Sequence, residues 1–358
     1  MTNETEIDVT GGVDTHKHNH VAAALDRLGG VLATATFPAT AAGYRSLLEW
    51  LGAYGRIVAV GVEGTGSWGA GLSRSLTKAG VTVVEVNRPD RQLRRRQGKT
   101  DTVDAIAAGR AVLSGSATGA PKAATGLVEC IRLLRIARRS ASKARTQAMN
   151  QFQSVADTAP DELRAQLATL GTAERFRRAA RFHKRPPTTP TAAAKMALSV
   201  IARRWVGLEA EIHELDVVLR DLVRDVAPEL VAKHGVGPDT AGALLVAAGD
   251  NPARLRSEAS FAALCGSSPI EASSGQTIRH RLNRGGNREA NSALWRIVLV
   301  RMKGDPRTRA YVERRTHEGL SKPEIMRCLK RYVAREVYQA IKTSGLPQGD
   351  NARQPAAA

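Results

Sequence analysis

The chain has 358 residues, enough for two or three domains, and its formal charge is +19, which calls for a polyanionic partner. No apolar run is long enough to cross a bilayer and no signal peptide is legible, so the sequence predicts a cytoplasmic, nucleoid-associated protein with no membrane partner. Cys130, Cys265 and Cys328 stand too far apart to suggest disulfides or a zinc site, and 4% aromatics disfavour base stacking as the main binding mode.

The predicted elements begin with two short strands over residues 9–26, a turn at Arg27–Gly30 and a third strand at Val31–Phe37. A helix at Ala41–Leu51, a strand at Arg56–Val62, a helix at Ser67–Ala79 and a strand at Val81–Val86 follow. Three antiparallel strands and then alternating helix and strand is the order of a ribonuclease-H/RuvC-like α/β fold, in which the first and fourth strands are neighbours. Residues 126–227 lack strand signals and read as long helices. Within them Leu198, Ile201, Trp205, Leu208, Ile212, Leu215, Leu219, Leu222 and Val226 alternate spacings of three and four, the pattern of a coiled-coil seam between subunits. The same stripe also suits an amphipathic helix packed on its own domain. His234-Gly-Val-Gly237-Pro ahead of an apolar helix looks like a helix-hairpin-helix turn, with backbone amides free to approach a phosphate. The expected architecture is therefore α/β plus all-α. It comprises a RuvC-like domain (1–120), a helical linker and coiled coil (121–230), a mainly helical C-terminal domain with the hairpin-helix motif (231–345), and a disordered tail (346–358).

Charge is concentrated: residues 86–146 hold 14 Lys/Arg against 4 Asp/Glu, and residues 275–343 hold 17 against 6. Two local excesses of this size look like nucleic-acid footprints rather than a diffuse solubility device.

Four carboxylates carry the chemistry. Asp14 ends the first strand, Glu63 follows the apolar run Ile57–Val62, and Asp101 and Asp104 open an Ala-rich helix on one face. Like charges about 4 Å apart repel by roughly 4 kcal/mol at an effective dielectric near 20, so gathering these acids calls for a cation. All-oxygen ligands favour Mg²⁺, with Mn²⁺ the alternative, and such ions serve phosphodiester chemistry. Taken singly, Asp101 reads as a helix cap, Asp104 as a first-turn acid and Glu63 as a loop-edge residue. His16, His18 and His20 alternate on the same strand face as Asp14 and could supply a nitrogen ligand, though such histidines more often pack or hydrogen-bond. Gly64–Gly69 lacks the spacing of a nucleotide-binding loop and reads as a turn. Downstream, Ser273-Ser274-Gly275 is followed by Arg279, Arg281, Arg284 and Arg288. A serine beside glycine is accessible and the arginines suit a phosphate, yet the tripeptide alone is a turn motif.

Gly12-Val-Asp14, Val62-Glu63-Gly64, Lys99-Thr-Asp101-Thr-Val-Asp104-Ala, Gly235-Val-Gly237-Pro, Ser274-Gly275 and Arg284-Gly-Gly-Asn287-Arg288 occur in this order. Together they resemble the insertion-sequence one-ten family of DEDD transposases, with the Piv-type invertases as relatives. The resemblance implies a domain in which Asp14, Glu63, Asp101 and Asp104 bind Mg²⁺, and a C-terminal domain in which Ser274, chosen over Ser273 by the motif alone, attacks the DNA backbone. It further implies a structured guide RNA, donor and target DNA, and homo-oligomers (a dimer, and a tetramer on DNA). The basic stretch Arg88–Lys99, with Arg94, Arg95, Arg96 and Lys99, then reads as a nucleic-acid contact rather than a solvated loop. Gly285-Gly286 carries an extra glycine, and Ala290-Asn291 stand where Leu-Arg is frequent. The rival readings are a metal-only, junction-resolving nuclease that needs no serine and a non-catalytic binding protein derived from a transposase.

Overall fold

Strand β1 (Asp8–Thr15) is buried along nearly its whole length, as a strand covered on both faces must be. In the computed structural model, which describes residues 7–86, 100–182, 186, 188–276, 280–344 and 346, it is the central strand of a five-stranded sheet. The order is β3-β2-β1-β4-β5, with β2 at Asn19–Leu25, β3 at Val31–Pro38, β4 at Arg56–Glu63 and β5 at Val83–Val86. β2 pairs antiparallel with β1 and β3, while β4 pairs parallel with β1 and β5. The chain divides into two compact units between Ala123 and Ala124. The first is this mixed α/β unit and the second is mostly helical.

The two faces of the sheet differ in side-chain size. One carries Val9, Val13, Val60 and Val62, packed with Leu47 and Leu51 of α1 (Ala41–Gly52) and Leu72 and Leu76 of α2 (Ala70–Lys78). Fully burying each such side chain stabilises the fold by about 1.5–3 kcal/mol. The other face carries Gly12 and Gly61, opposite one another in the β1–β4 register, and receives α3 (Asp101–Leu113) through Ala105, Ala108 and Gly109. A Cβ on Gly12 would lie 2.1 Å from the Ala105 carbonyl oxygen and 2.3 Å from the Gly109 nitrogen. Only glycine permits that approach. α2 begins later than its apolar pattern predicts because Gly64, at φ +73°, and Gly69 first close a turn on the Gly64 carbonyl.

In the second unit the longest helices are α4 (Leu127–Asp157) and α7 (Pro190–Val226), with α5 (Asp161–Ala168) and α6 (Thr172–Ala180) between them. α4 and α7 run antiparallel, as the pairs Arg138–Asp216 and Arg145–Glu209 fix. Phe152 and Ala156 of α4 meet Leu198 and Ala202 of α7, with Phe176 of α6 set between Phe152 and Trp205. Leu198, Ile212, Leu219 and Val226 of the long stripe are thus buried inside a single chain. Part of the stripe expected to form a seam between subunits is therefore covered within the chain, where α4 contributes Ile131, Ala141, Ala148 and Phe152, while Ile201, Trp205, Leu208, Leu215 and Leu222 are partly buried. The α4 stripe is broken by Arg138 and Arg145, which hides its apolar period.

Around this pair lie α8 (Pro228–Val231), α9 (Pro238–Ala248), a 3₁₀ turn (Pro252–Arg254), α10 (Glu258–Leu264), α11 (Arg288–Gly304), α12 (Pro306–His317) and α13 (Lys322–Lys342). A two-stranded hairpin, β6 (Ile270–Glu271) and β7 (His280–Arg281), separates α10 from α11. α9 is apolar all round and buried, packing with Ile131, Leu219, Leu294 and Val337 in the main core of the unit. Asp250, itself buried, accepts from the Val128 amide at 2.9 Å and so caps α4 across 122 residues of sequence.

Candidate functional site

The acidic centre follows from the β1–β4 register. Val13 pairs with Val62 in parallel strands, so the next residues, Asp14 and Glu63, lie side by side on the face that receives α3. α3 starts at that end of the sheet: Thr100 caps it, its hydroxyl accepting from the Val103 amide at 3.3 Å, and Asp101 and Asp104 occupy its first turn. The close packing at Gly12 and Gly61 sets the helix low enough for its first turn to reach Asp14. Asp104 is buried at 3% exposure, Asp14 is buried at 8%, Glu63 is half-buried and Asp101 is exposed. The Thr15 hydroxyl donates to the Glu63 carbonyl at 2.7 Å and ties the two strand ends together.

His16 Nε2 lies 3.1 Å from Asp14 Oδ2 and 3.4 Å from Asp101 Oδ1, bridging the two carboxylates. One ligand atom from each of these three residues falls within 4.8 Å of the others, a spacing that one metal ion can span. Burial pushes the Asp14 carboxyl above its ordinary range, His16 opposes the shift, and the neighbouring Asp104 and Asp101 charges add to it. A divalent cation would remove that penalty, and two carboxylates with an imidazole suit one.

The three histidines do not share a face, contrary to expectation. β1 ends at Thr15, His18 is exposed, and His20 pairs with Thr15 in the β1–β2 register and so faces away from Asp14. His20 is fully buried and stacks on Tyr44 of α1 at 5.6 Å between ring centroids.

In the second unit, Ser273, Ser274 and Gly275 lie within the β6–β7 hairpin and all are exposed. Gly275 has φ +57°, which turns the backbone after Ser274. The hairpin is held at its base by glycines. Gly266 (φ +62°) would place a Cβ 2.5 Å from the Gly285 carbonyl oxygen, and Gly286 (φ +82°) would place one 2.6 Å from the Gly266 nitrogen. The glycine pair therefore docks backbone to backbone on the Gly266 turn. Asn287 donates its own amide to the Leu264 carbonyl at 2.6 Å, and its side chain caps α11 by accepting from the Glu289 and Ala290 amides, both at 3.0 Å. Arg281, Arg284 and Arg288 are exposed around this turn.

In the helix-hairpin-helix-like segment, Gly235 at φ +79° makes the turn, and the helix before it, α8, has four residues. The first turn of α9 carries Asp239, held by Arg135 at 3.1 Å and Arg296 at 2.7 Å.

Residues 11–159 match a family model described as a transposase, DEDD_Tnp_IS110, and residues 229–313 match a second described as Transposase IS116/IS110/IS902 family. The chain belongs to the IS110 family of transposases. It is also similar to the "Insertion element IS110 uncharacterized 43.6 kDa protein" of Streptomyces coelicolor (strain ATCC BAA-471 / A3(2) / M145), at 30% identity over 136 residues. That match covers 38% of this chain and 32% of the relative, about a third of the relative's length.

Within this IS110-family chain, the first matched segment contains Asp14, Glu63, Asp101 and Asp104 and the second contains Ser274. The fold brings Asp14, Asp101 and Asp104 together and sets Glu63 beside Asp14 on the neighbouring strand. Arg94, Arg95, Arg96, Lys99, Arg279 and the tail after Leu346 lie outside the described residues. Among the described residues, no helix is long and apolar enough to cross a membrane. Sequence reasoning underweighted His16 by grouping it with His18 and His20. It also passed over Gly12 and Gly61, whose matching positions two residues before Asp14 and Glu63 were the available signal.

Proposed function

We propose that this transposase cuts and rejoins DNA strands of a mobile element, using Asp14, Glu63, Asp101 and Asp104 as a Mg²⁺ site and Ser274 as the nucleophile. The observation that carries the reading is the meeting of Asp14, Asp101 and His16 over the α3 face of the sheet, with Asp104 buried beside them. A bound divalent ion would polarise the scissile phosphate and stabilise the departing oxygen. The chain's own groups do the rest. Asp14 and Glu63 are fixed by strand register, Asp101 and Asp104 by one helical turn, and His16 hydrogen-bonds Asp14, with Asp101 at 3.4 Å from the same nitrogen. The Ser274 hydroxyl, exposed before Gly275, attacks phosphorus. A serine–phosphate ester forms as one P–O bond to the sugar breaks, the serine proton passes to a carboxylate or to water, and the sugar oxygen takes a proton from water and leaves as a hydroxyl. Attack by a second strand's hydroxyl reverses these steps and rejoins DNA without ATP.

The two units act on one phosphodiester from different subunits of an oligomer, a dimer that becomes a tetramer on DNA. A structured guide RNA selects target and donor, supported by the charge of residues 86–146 and 275–343. Ser274→Ala should lose strand exchange and any covalent DNA adduct while keeping nucleic-acid binding, and Asp104→Ala should lose both cleavage and exchange. Mass spectrometry of a nuclease-digested reaction should find a nucleotide on the Ser274 peptide. Cleavage that persists in Ser274→Ala without an adduct would assign the protein to the metal-only nucleases. Full recombination of cognate DNA by RNA-free protein would remove the guide.

A further inference from the structure

A cleft of about 510 Å³ lies between the base of the serine hairpin and α13. One wall is the Gly266–Pro269 turn with His280–Asn283, and the other is α13 from Glu324 to Arg331, with Arg315 of α12. Four arginines line it: Arg281, Arg315, Arg327 and Arg331. Lys330 lines it too, although only 7% of that residue is exposed. A lysine this deep is unusual unless paired, and no carboxylate pairs with it among the described residues. Its ammonium instead donates to Asn291 Oδ1 at 3.0 Å. Asn291 is held in turn by its Nδ2, which donates to the carbonyls of Cys265 (2.8 Å) and Gly266 (3.0 Å). That network orients the amide oxygen toward Lys330 and anchors the lysine to the turn that supports the hairpin. One neutral acceptor leaves two N–H donors of the ammonium to be satisfied. Arg315 Nε is a second buried donor on the same cleft, and it has no partner.

Glu318, Glu324 and Glu258 already pair Arg315, Arg327 and Arg331, and Glu324 lines the cleft itself. What these carboxylates leave open is the Lys330 ammonium, bonded to a neutral amide, the Arg315 Nε donor, and Arg281, which has no ion pair among the described residues. We propose that the cleft seats one backbone phosphate of the nucleic acid brought to the serine hairpin, with Lys330 as its fixed cation. The inference rests on the reading of the chain as an enzyme of nucleic-acid strands and adds a binding subsite to it. Lys330 would gain a counter-charge from a phosphate oxygen, Arg315 Nε would donate to the same group, and Arg281 would add a bidentate fork beside it. The volume suits one nucleotide rather than a duplex groove. Held there, a phosphate close to the hairpin would fix the register of the strand presented to Ser274.

The test compares Lys330→Met, which keeps the stem and removes the charge, with wild type and with Arg203→Gln on the exposed side of α7. Binding to a DNA duplex and to a structured RNA is measured across a salt series. Wild type minus Lys330→Met should show a log–log slope smaller by about 0.7–0.9, one phosphate's worth, with at least one of the two polymers, and that polymer names the source of the phosphate. Arg203→Gln should match wild type. The melting temperature of Lys330→Met, free of nucleic acid, should equal or exceed wild type, because a costly buried charge has gone. Inorganic phosphate at constant ionic strength should raise the melting temperature of wild type and not of the variant. Should Lys330→Met fail to fold, Arg281→Gln on the exposed hairpin carries the same slope measurement. Unchanged slopes with both polymers, or weaker binding that merely follows a lowered melting temperature, would overturn the subsite. All readouts are binding or stability, so they stand or fall separately from Ser274→Ala and strand exchange.

Discussion

Asp14 and Glu63 sit on adjacent central strands under a helix packed against glycine backbone, whereas Ser274 lies on a hairpin whose side chains around it are all exposed. The first arrangement leaves its carboxylates little freedom, because strand register and a helix terminus fix them before any ligand arrives. The second presents an exposed hydroxyl on a hairpin whose base is docked by Gly266, Gly286 and Asn287. On the proposed reading, the acids would hold a metal ion and need set distances, whereas the serine would attack a DNA strand and needs access. Rigidity and exposure are thus divided between the two units.

The sharpest way to break this comparison is to add one methyl group to a glycine of each region. Gly12→Ala forces α3 off the sheet, since its Cβ meets backbone atoms at 2.1 and 2.3 Å, and should cost about 1–3 kcal/mol or more. Calorimetry should show a fall of several degrees together with loss of Mg²⁺-dependent activity. Gly275→Ala meets nothing within 4 Å and carries only the strain of φ +57°, about 1–2 kcal/mol confined to the hairpin. A melting temperature for Gly12→Ala within a degree of wild type would refute the close helix–sheet contact.

A second contrast concerns charge. Asp104→Asn removes one of the gathered carboxylates, so the metal-free protein should gain about 0.5–2 kcal/mol while stabilisation by excess Mg²⁺ shrinks. Ser274→Ala should move neither quantity. Thermal melts in chelator and in Mg²⁺ read both, and equal Mg²⁺ stabilisation of Asp104→Asn and wild type would exclude Asp104 from the site.

Acid titration should separate the units by sign. Burial, helped by Asp104 and Asp101, raises the native Asp14 carboxyl above its unfolded value near about 3.9, so its contribution is fully present below that value and lost as pH rises through the native one. Burial would also push Asp239 up, but Arg135 and Arg296 outweigh it and hold that carboxyl below its ordinary range. Its contribution is present above the unfolded value and is lost as pH falls through the native one. Urea unfolding as a function of pH should therefore change slope in opposite directions for Asp14→Asn and Asp239→Asn.

The smallest effect concerns thiols. Burial raises the Cys265 thiol to about 12, whereas Cys130 is exposed. A thiol reagent should label Cys130 in the folded protein and Cys265 only on unfolding; equal rates would mean that the core around α10 opens readily.

Much of the first unit was legible because its signals are local. Strand and helix periods, the Arg27–Gly30 turn and the order of elements placed β1 beside β4, and the sheet has that order. The long apolar stripe of α7 was equally visible, but its partner was not, because α4 alternates alanine and arginine where a seam would show leucine. Likewise His16 could not be told from His18 and His20 until β1 was seen to end at Thr15.

The sequence by itself determined the elements and the chemical types at their ends: acids at the ends of two strands and the start of a helix, and a serine before a glycine. These depend on periodicity, capping and backbone freedom over a few neighbouring residues, which a linear chain records. Only the tertiary structure decided that α3 rests on Gly12 and Gly61, that the α7 stripe is met by α4, and that Lys330 bonds to Asn291, 39 residues away. Each is a contact between segments whose local patterns carry no mark of one another. Packing selects such partners by shape and charge, and those properties exist only once the surfaces have met.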